Sequence, residues 1–205
     1  MNKNKGLLIV ISGPSGAGKG TVCNAYLEKH KETMLSISAT TRSPRYNEKE
    51  GVNYFFKSDE VFHTMIDNGE FLEFAEVYGN YYGTPKKFVQ TQLMEGKDII
   101  LEIDIQGALQ VKERFDEGVF VFIVPPTMEE LKRRIVKRGT ENADKLYKRF
   151  QSAYEELNFI NRYNYLVLND TVNNAVQKLE AIVFAEKCRV SRNRDFYLSL
   201  QGGLI

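Results

Sequence analysis

Residues 6–27 constrain the fold of this 205-residue chain more than any other stretch. An apolar run from Leu7 to Ile11 is short enough for one buried strand, and a helical pattern follows residue 19. Between them, residues 13–19 read GPSGAGK and match G-x-x-x-x-G-K. Glycine allows backbone conformations that turn successive N–H groups toward one point, and a helix N-terminus adds positive partial charge. The stretch therefore predicts a strand, a phosphate-binding loop and a helix. A glycine-rich turn without a ligand is the alternative.

Positions 19 and 20, at the end of this loop, determine how it can bind a nucleotide and its metal ion. Lys19 is predicted to place its charge near the β and γ phosphates of a nucleotide. The next position holds Gly20, where Ser or Thr usually supplies a hydroxyl for Mg²⁺, and a hydroxyl comes only at Thr21. We therefore expect phosphates and water, rather than a hydroxyl of residue 20, to hold Mg²⁺.

Composition argues against several classes of function. The 28 basic and 27 acidic residues nearly cancel, so no overall positive field favours nucleic acid. No apolar run approaches the roughly 18 residues of a membrane span. Two histidines without a C-x-x-C pair argue against a protein-built metal site. Cys23 and Cys188 are expected to be free, buried thiols in a reducing compartment, so the chain is expected to be soluble and cytoplasmic.

Strands alternate with helices along the second half of the chain, which favours an α/β fold with a parallel sheet. The predicted strands are 98–104, 119–124 and 164–169, the first of them ending in Asp104. The predicted helices are 106–115, a helix from a Thr127–Glu130 capping box to Gly139, 142–161, and one from Thr171 to Lys187. Residues 191–205 give no clear pattern.

Residues 37–89 interrupt this alternation with polar, strand-rich sequence and are predicted to form an insertion. The predicted elements around it are a strand at 35–40, a loop at 41–52, a helix from Ser58 to Gly69, a strand at 70–78, a turn at 79–85 and a helix capped by Thr84. On a two-residue period, Glu73 shares the face of Phe71, Ala75 and Val77. A carboxylate on an apolar face needs a partner, so Glu73 is a candidate binding residue.

Two separated groups of arginines are candidates for phosphate binding. Arg42 and Arg45 lie in the polar loop on either side of Pro44. Arg134, Arg138 and Arg149 lie on the predicted helices around Gly139. The planar fork of arginine suits phosphate oxygens, so the two groups together with Lys19 favour two phosphorylated ligands that meet between them. For Arg134 and Arg138, ordinary solvated surface charge is the alternative.

Eight motifs in order resemble the guanylate kinase family. They read GPSGAGKGT, SATTRSPR, GVNYFF, EFLEFAE, GNYYGTP, LEIDIQG, IVPPT and RGTE, and the similarity covers residues 6–188. The resemblance implies a P-loop NTPase-type parallel sheet flanked by helices, with an inserted GMP-binding domain and a helical lid. The implied domains are a core of residues 1–36, 90–125 and 158–190, a GMP-binding domain of 37–89, a lid of 126–157 and a tail of 191–205.

The resemblance also implies an activity in purine metabolism. The γ-phosphoryl group of ATP would pass to GMP, with dGMP as a further acceptor, and Mg²⁺ would bind with ATP. The attacking phosphate oxygen is already anionic, so the reaction needs alignment and charge neutralisation but no general base. The implied partners are small nucleotides, not nucleic acid or membrane. The oligomeric state stays open, a homo-oligomer included.

Two other interpretations compete with this one. A non-catalytic relative that binds phosphorylated peptides is the runner-up, and the intact Lys19 and glycines argue against it. A kinase for another nucleoside monophosphate is disfavoured by Glu73. Guanine offers two adjacent donors, N1–H and the 2-amino group, that fit one carboxylate, whereas adenine has an acceptor at N1. A structural ion pair with a neighbouring Arg or Lys is the alternative role for Glu73.

Matching motifs assign a role to each candidate residue. The implied ATP contacts are Gly13, Pro14, Ser15, Gly16, Ala17, Gly18, Lys19, Gly20, Thr21, Arg134 and, more weakly, Asn169. The implied catalytic residues are Lys19, Arg42, Arg134, Arg138 and Arg149. The implied GMP contacts are Arg42, Arg45, Tyr54 and Tyr82 at the phosphate, Ser38, Glu73 and Thr84 at the guanine, and also Glu102 and Asp104. Asp104 is further expected to act on Mg²⁺, through water.

Overall fold

The chain folds around two β-sheets, and the computed structural model describes residues 5–77, 79–138 and 143–202. Its strands are β1 (Leu8–Ser12), β2 (Met34–Leu35), β3 (Ala39–Thr40), β4 (Phe55–Phe56), β5 (Phe71–Val77), β6 (Asn80–Pro85), β7 (Ile99–Glu102), β8 (Val119–Val124) and β9 (Tyr165–Leu168). Its helices are α1 (Lys19–Lys29), α2 (Asp59–Asp67), α3 (Lys86–Met94), α4 (Ile105–Arg114), α5 (Met128–Arg138), α6 (Ala143–Glu156), α7 (Val172–Lys187) and α8 (Arg194–Gly202). Short 3₁₀ helices cover Leu157–Arg162 and Val190–Arg192.

The first sheet is parallel, with the strand order β2-β7-β1-β8-β9. All of β1 is buried because helices cover both faces of the sheet. Ile9 and Ile11 pack with α1 and α7, whereas Leu8 and Val10 pack with α3 and α4. The predicted parallel α/β fold is thus confirmed. The carboxyl ends of β1 and β7 lie side by side, which brings residues 13–19 next to residues 102–104.

The second sheet has the order β4-β3-β6-β5 and lies within the 37–89 block. Strand β6 pairs antiparallel with both β3 and β5, and Phe62 of α2 packs against Phe71 beneath the sheet. The predicted strand at 35–40 was wrong as one element. Met34–Leu35 pairs with β7 in the first sheet, while Ala39–Thr40 pairs with β4 and β6 in the second.

Three predictions near the sheet edges were also wrong. The turn at 79–85 is strand β6, because only Gly79 needs a left-handed conformation and residues 80–85 pair with β5. Pro85, not Thr84, is the N-cap of α3, because the Thr84 hydroxyl donates to Glu73. Asp104 does not end β7, which stops at Glu102; its carboxylate caps α4 by accepting the Gly107 N–H.

Several helix ends differ from the sequence prediction. Thr127 accepts the Glu130 N–H, but the Glu130 carboxylate turns to Arg133 and Arg134 instead of completing the capping box. The helix predicted at 142–161 is α-helical only to Glu156 and continues as a 3₁₀ helix. Gly139 lies outside the described residues.

The C-terminal segment also departs from expectation. Residues 191–205 gave no pattern, yet Arg194–Gly202 is helix α8, whose large apolar side chains Phe196, Leu198 and Leu200 are exposed. Both cysteines are free, but Cys188 is exposed at the end of α7, so only Cys23 is buried as predicted. Among the residues that the structure describes, no helix combines the length and apolar character needed to cross a bilayer.

Candidate functional site

The phosphate-binding loop, residues 13–19, depends on its glycines for both conformation and space. Gly13 and Gly18 have φ values of 143° and 90°, which L side chains rarely adopt. A Cβ at Gly13 would lie 2.2 Å from the Ile123 carbonyl oxygen, and one at Gly18 would lie 2.5 Å from Asn169 Nδ2. The loop therefore packs directly onto β8 and onto the residue that follows β9.

Lys19 lies beneath this loop. Its Nζ donates to the carbonyl oxygens of Gly13, at 2.6 Å, and Pro14, at 3.3 Å. Burial lowers the pKa of Lys19, while the charges of Glu102, Glu156 and Asp104 oppose that change. The Lys19 side chain thus lies at the loop, where three carboxylates act on it.

Arg134 and Asn169 meet on the loop's outer side. Asn169 Nδ2 donates to the Ala17 carbonyl at 2.8 Å, and the Arg134 guanidinium donates to the carbonyls of Ala17 and Asn169 at 3.3 and 3.2 Å. Glu130 accepts from Arg134 Nε at 2.7 Å. A cavity of about 570 Å³ lies between the loop, α5 and residues 169–172. Its size suits a small organic ligand.

Helix α6 supplies two further side chains to the loop, of which the sequence predicted one. Arg149 donates to Ser15 Oγ at 3.0 Å, and Glu156 Oε2 accepts the Ser15 N–H at 3.2 Å. Burial raises the pKa of Glu156, and Lys19 opposes the rise. Glu156 was missed, although its seven-residue spacing from Arg149 places both on one helix face. The side chain of Arg138, predicted to join this group, lies outside the described residues.

A second cluster forms on the polar loop of the second sheet. Arg42 NH2 donates to both Glu48 carboxylate oxygens, at 2.8 and 2.9 Å, and Glu48 Oε2 also accepts the Arg45 N–H at 2.9 Å. The Arg42 guanidinium lies 5.4 Å from the centre of the Tyr54 ring, which is 5.9 Å from the Tyr82 ring. Arg42, Tyr54 and Tyr82 therefore meet, while the Arg45 side chain is exposed. The sequence prediction did not include Glu48, although this residue lies in the same polar loop as Arg42 and Arg45.

Glu73 is a buried carboxylate, with only 4% of its surface exposed. Thr84 Oγ1 donates to its Oε1 at 2.6 Å, across the β5–β6 pair. Burial raises the pKa of Glu73 from 4.5 to about 7, and the charge of Asp104 adds to the rise. No salt bridge to Glu73 occurs among the described residues, so the ion pair left open by the sequence does not form within them. Ser38 is half-buried where the chain crosses between the sheets.

Glu102 and Asp104 lie between the two clusters. A Cβ at Gly20 would lie 3.2 and 3.3 Å from the Glu102 carboxylate oxygens, so that carboxylate lies against the glycine. Asp104 acts electrostatically on both Lys19 and Glu73. Within residues 5–77, 79–138 and 143–202, no three acidic, histidine or cysteine side chains are grouped to hold a metal ion.

Comparisons with known proteins point in one direction. A family model described as guanylate kinase matches residues 5–186. A guanylate kinase of Caldanaerobacter subterraneus subsp. tengcongensis is 64% identical over 199 residues, covering 97% of both chains. One from Clostridium perfringens (strain 13 / Type A) is 61% identical, covering 95% of this chain and 92% of its own. The crystal structure of guanylate kinase from Anaplasma phagocytophilum has a TM-score of 0.77 at 35% identity, covering 93% of this chain and 90% of that one.

Proposed function

The chain belongs to the guanylate kinase family, and we propose that its two arginine clusters bind the two nucleotides of that family's reaction. As a guanylate kinase it transfers the γ-phosphoryl group of ATP to GMP, giving ADP and GDP. The observation that best supports the residue assignment is the burial of Glu73 without a charged partner among the described residues. Glu73 is a buried carboxylate, bonded to a hydroxyl rather than to a cation, on the inserted sheet. Such a carboxylate has accepting capacity left for two adjacent donors of a base.

On the ATP side, residues 13–21 are proposed to hold the phosphates through backbone N–H groups and the start of α1. Lys19 would release the main-chain carbonyl oxygens that it now bonds and would bind phosphate oxygens instead. An anionic oxygen accepts a stronger hydrogen bond than a neutral carbonyl does. Arg134 and Arg149 already reach the loop from α5 and α6, and Asn169 lines the adjoining cavity. Arg138 is proposed to join them on the basis of the sequence motif alone.

On the GMP side, Arg42, Arg45, Tyr54 and Tyr82 are proposed to bind the phosphate. Their guanidinium and hydroxyl groups are donors suited to a dianion. Ser38, Glu73 and Thr84 are proposed to bind guanine, with Glu73 accepting from N1–H and the 2-amino group. The Glu102 carboxylate lies against Gly20, next to the phosphate-binding loop, and Asp104 caps α4 at Gly107, the residue against which Glu73 packs. The cluster therefore adjoins the loop.

The residues present fit Mg²⁺ bound mainly by substrate. Mg²⁺ prefers oxygen ligands and keeps several waters. A side chain at position 20 would crowd the Glu102 carboxylate, so a carboxylate stands near where other loops place a hydroxyl. Asp104 uses Oδ1 to cap α4, which leaves its other oxygen for a water. When bound with ATP, the ion neutralises charge on the β and γ phosphates.

Catalysis is proposed to rest on alignment and charge neutralisation. The nucleophile is a GMP phosphate oxygen, which is already anionic, so no general base is needed. Lys19, Arg134 and Arg149 would oppose the negative charge on the donor side, and Arg42 on the acceptor side.

Water could attack ATP instead, so we propose that residues 37–89 and a lid of residues 126–157 close over the core of residues 1–36, 90–125 and 158–190. We also propose that the protein acts in purine metabolism, in which GMP and GDP take part. A cytoplasmic location is proposed because both cysteines are free, as in a reducing compartment.

A coupled assay of ADP release tests the substrate assignment. The enzyme is expected to prefer GMP over AMP, CMP and UMP. Glu73→Gln removes a charge and turns one acceptor into a donor, so kcat/KM for GMP should fall roughly tenfold to a hundredfold, with KM for ATP nearly unchanged. Glu76→Gln, at an exposed position on the same strand, is the matched control. Unchanged GMP kinetics in a folded Glu73→Gln enzyme would overturn the guanine role.

A further inference from the structure

We propose that Gly107, Gln110 and Arg114 of helix α4 are positioning residues that hold Glu73 in place and thereby set the selectivity for guanine. This inference rests on the guanine role proposed above for Glu73. Helix α4 follows β7 and packs on the first sheet, whereas Glu73 lies on β5 of the second. One helix therefore connects the phosphate-binding core to the strand that carries the base-recognising carboxylate.

Strand β5 forms an edge of the second sheet, with β6 as its neighbour on one side. On the other side, the side chain of Gln110 takes the place of a strand. Phe74 N–H donates to Gln110 Oε1 at 3.3 Å, and Gln110 Nε2 donates to the Phe74 carbonyl at 2.7 Å. A carboxamide offers the same donor and acceptor as a peptide group. Gln110 therefore pairs with the open edge of β5 as a peptide group of a neighbouring strand would.

Arg114 makes the matching contact on the other side of Glu73. Its NH1 donates to the Leu72 carbonyl at 2.9 Å, so the main chain is held at both residues that flank Glu73. The pairing of β5 with β6 shifts register between Phe71 and Glu73. Such an irregularity bends a strand and redirects its side chains. The contacts from α4 fix the strand where its own ladder is irregular.

Gly107 provides the space that the Glu73 carboxylate occupies. A Cβ at this position would lie 2.5 Å from Glu73 Oε2 and 3.0 Å from its Cδ. Gly107 is inside a helix and its φ is not positive, so the backbone does not require glycine there. Residues 107, 110 and 114 share one face of α4. The open space at 107 and the polar groups at 110 and 114 thus serve the same strand.

Gly107→Ala gives the sharper test, because alanine has a higher helix propensity than glycine. The added methyl group should displace the flexible carboxylate end of Glu73 while α4 stays intact. The assay compares GMP with IMP, which keeps N1–H but lacks the 2-amino group. The ratio of kcat/KM for GMP to that for IMP should fall roughly three- to thirtyfold, as expected for partial loss of one charged hydrogen bond. KM for ATP should not change.

Gln110→Met keeps the size of the side chain but removes both hydrogen bonds to Phe74. The GMP-to-IMP ratio should fall in the same range, and the Phe74 amide should exchange its hydrogen faster in NMR experiments. Glu113→Met, at an exposed position on the same helix, is the control and should change neither.

The outcomes separate this inference from the guanine role itself. An unchanged GMP-to-IMP ratio in both Gly107→Ala and Gln110→Met would overturn the positioning role, provided that Glu73→Gln still lowers it. Equal losses for GMP and IMP that follow a loss of thermal stability would also overturn it, because they indicate a structural role only. If Glu73→Gln leaves the ratio unchanged, the proposed guanine contact fails, and this inference fails with it.

Discussion

Glu73→Gln is expected to stabilise the fold at alkaline pH while it weakens the reaction with GMP. Burial raises the pKa of Glu73 from 4.5 to about 7, so the folded state binds this proton more tightly than the unfolded chain does. Protonated Glu73 therefore favours folding below pH 4.5, and that contribution is lost as pH rises to about 7. The pKa difference corresponds to about 3 kcal/mol of unfolding free energy above pH 7.

Glutamine is neutral throughout this range and keeps an oxygen that can accept the Thr84 hydroxyl. Glu73→Gln should therefore exceed the wild type in unfolding free energy by about 1–3 kcal/mol at pH 8, or roughly 2–10 °C in Tm for a chain of this size. The difference should shrink steadily toward pH 4.5. Urea unfolding and thermal melts over pH 4.5–8 measure it directly.

Glu76→Gln makes the same substitution at an exposed position of β5, and its unfolding free energy should follow the wild type at every pH. Equal stability of Glu73→Gln and wild type at pH 8 would refute the argument from a buried charge. So would a stability difference that does not vary between pH 4.5 and pH 8, because linkage requires it to follow the titration of Glu73.

The phosphate side of the site gives three further expectations. Lys19→Met should lower kcat on the order of 10²–10³-fold, because it removes a preorganised charge; near-normal turnover in a folded variant would rule out its proposed role. Glu156→Gln should lower KM for ATP severalfold at low ionic strength, because it removes a carboxylate that now accepts the Ser15 N–H; an unchanged KM at low salt would contradict this. Excess chelator should abolish turnover of the wild type and added Mg²⁺ should restore it, whereas full activity in chelator would exclude a metal requirement.

Sequence alone predicted the elements whose structure depends on residues that are close to one another along the chain. Strand β1, the phosphate-binding loop and α1 occur where the apolar run, the glycines and the helical pattern predicted them. Helix α7 runs from its Thr171 cap to Lys187 as expected, because capping and helical periodicity act over a few residues. The resemblance to guanylate kinase was confirmed for the same reason, since its motifs are short and ordered along the chain.

Tertiary structure decided which distant groups become partners. Residues 35–40 look like one strand, but the chain joins β7 at Leu35 and β6 at Ala39, and only the positions of those strands divide it. Thr84 looks like a helix cap, but it bonds Glu73 because β5 lies opposite β6.

The partners of the candidate site depend on the same long-range packing. Glu156 meets Ser15 and Gln110 meets Phe74 across separations that no local pattern records. Hydrogen bonds act over about 3 Å, so their partners are fixed only when whole elements pack. Local residue patterns therefore determined the loop, the Thr171 cap of α7 and the family, and packing determined the surroundings of Glu73.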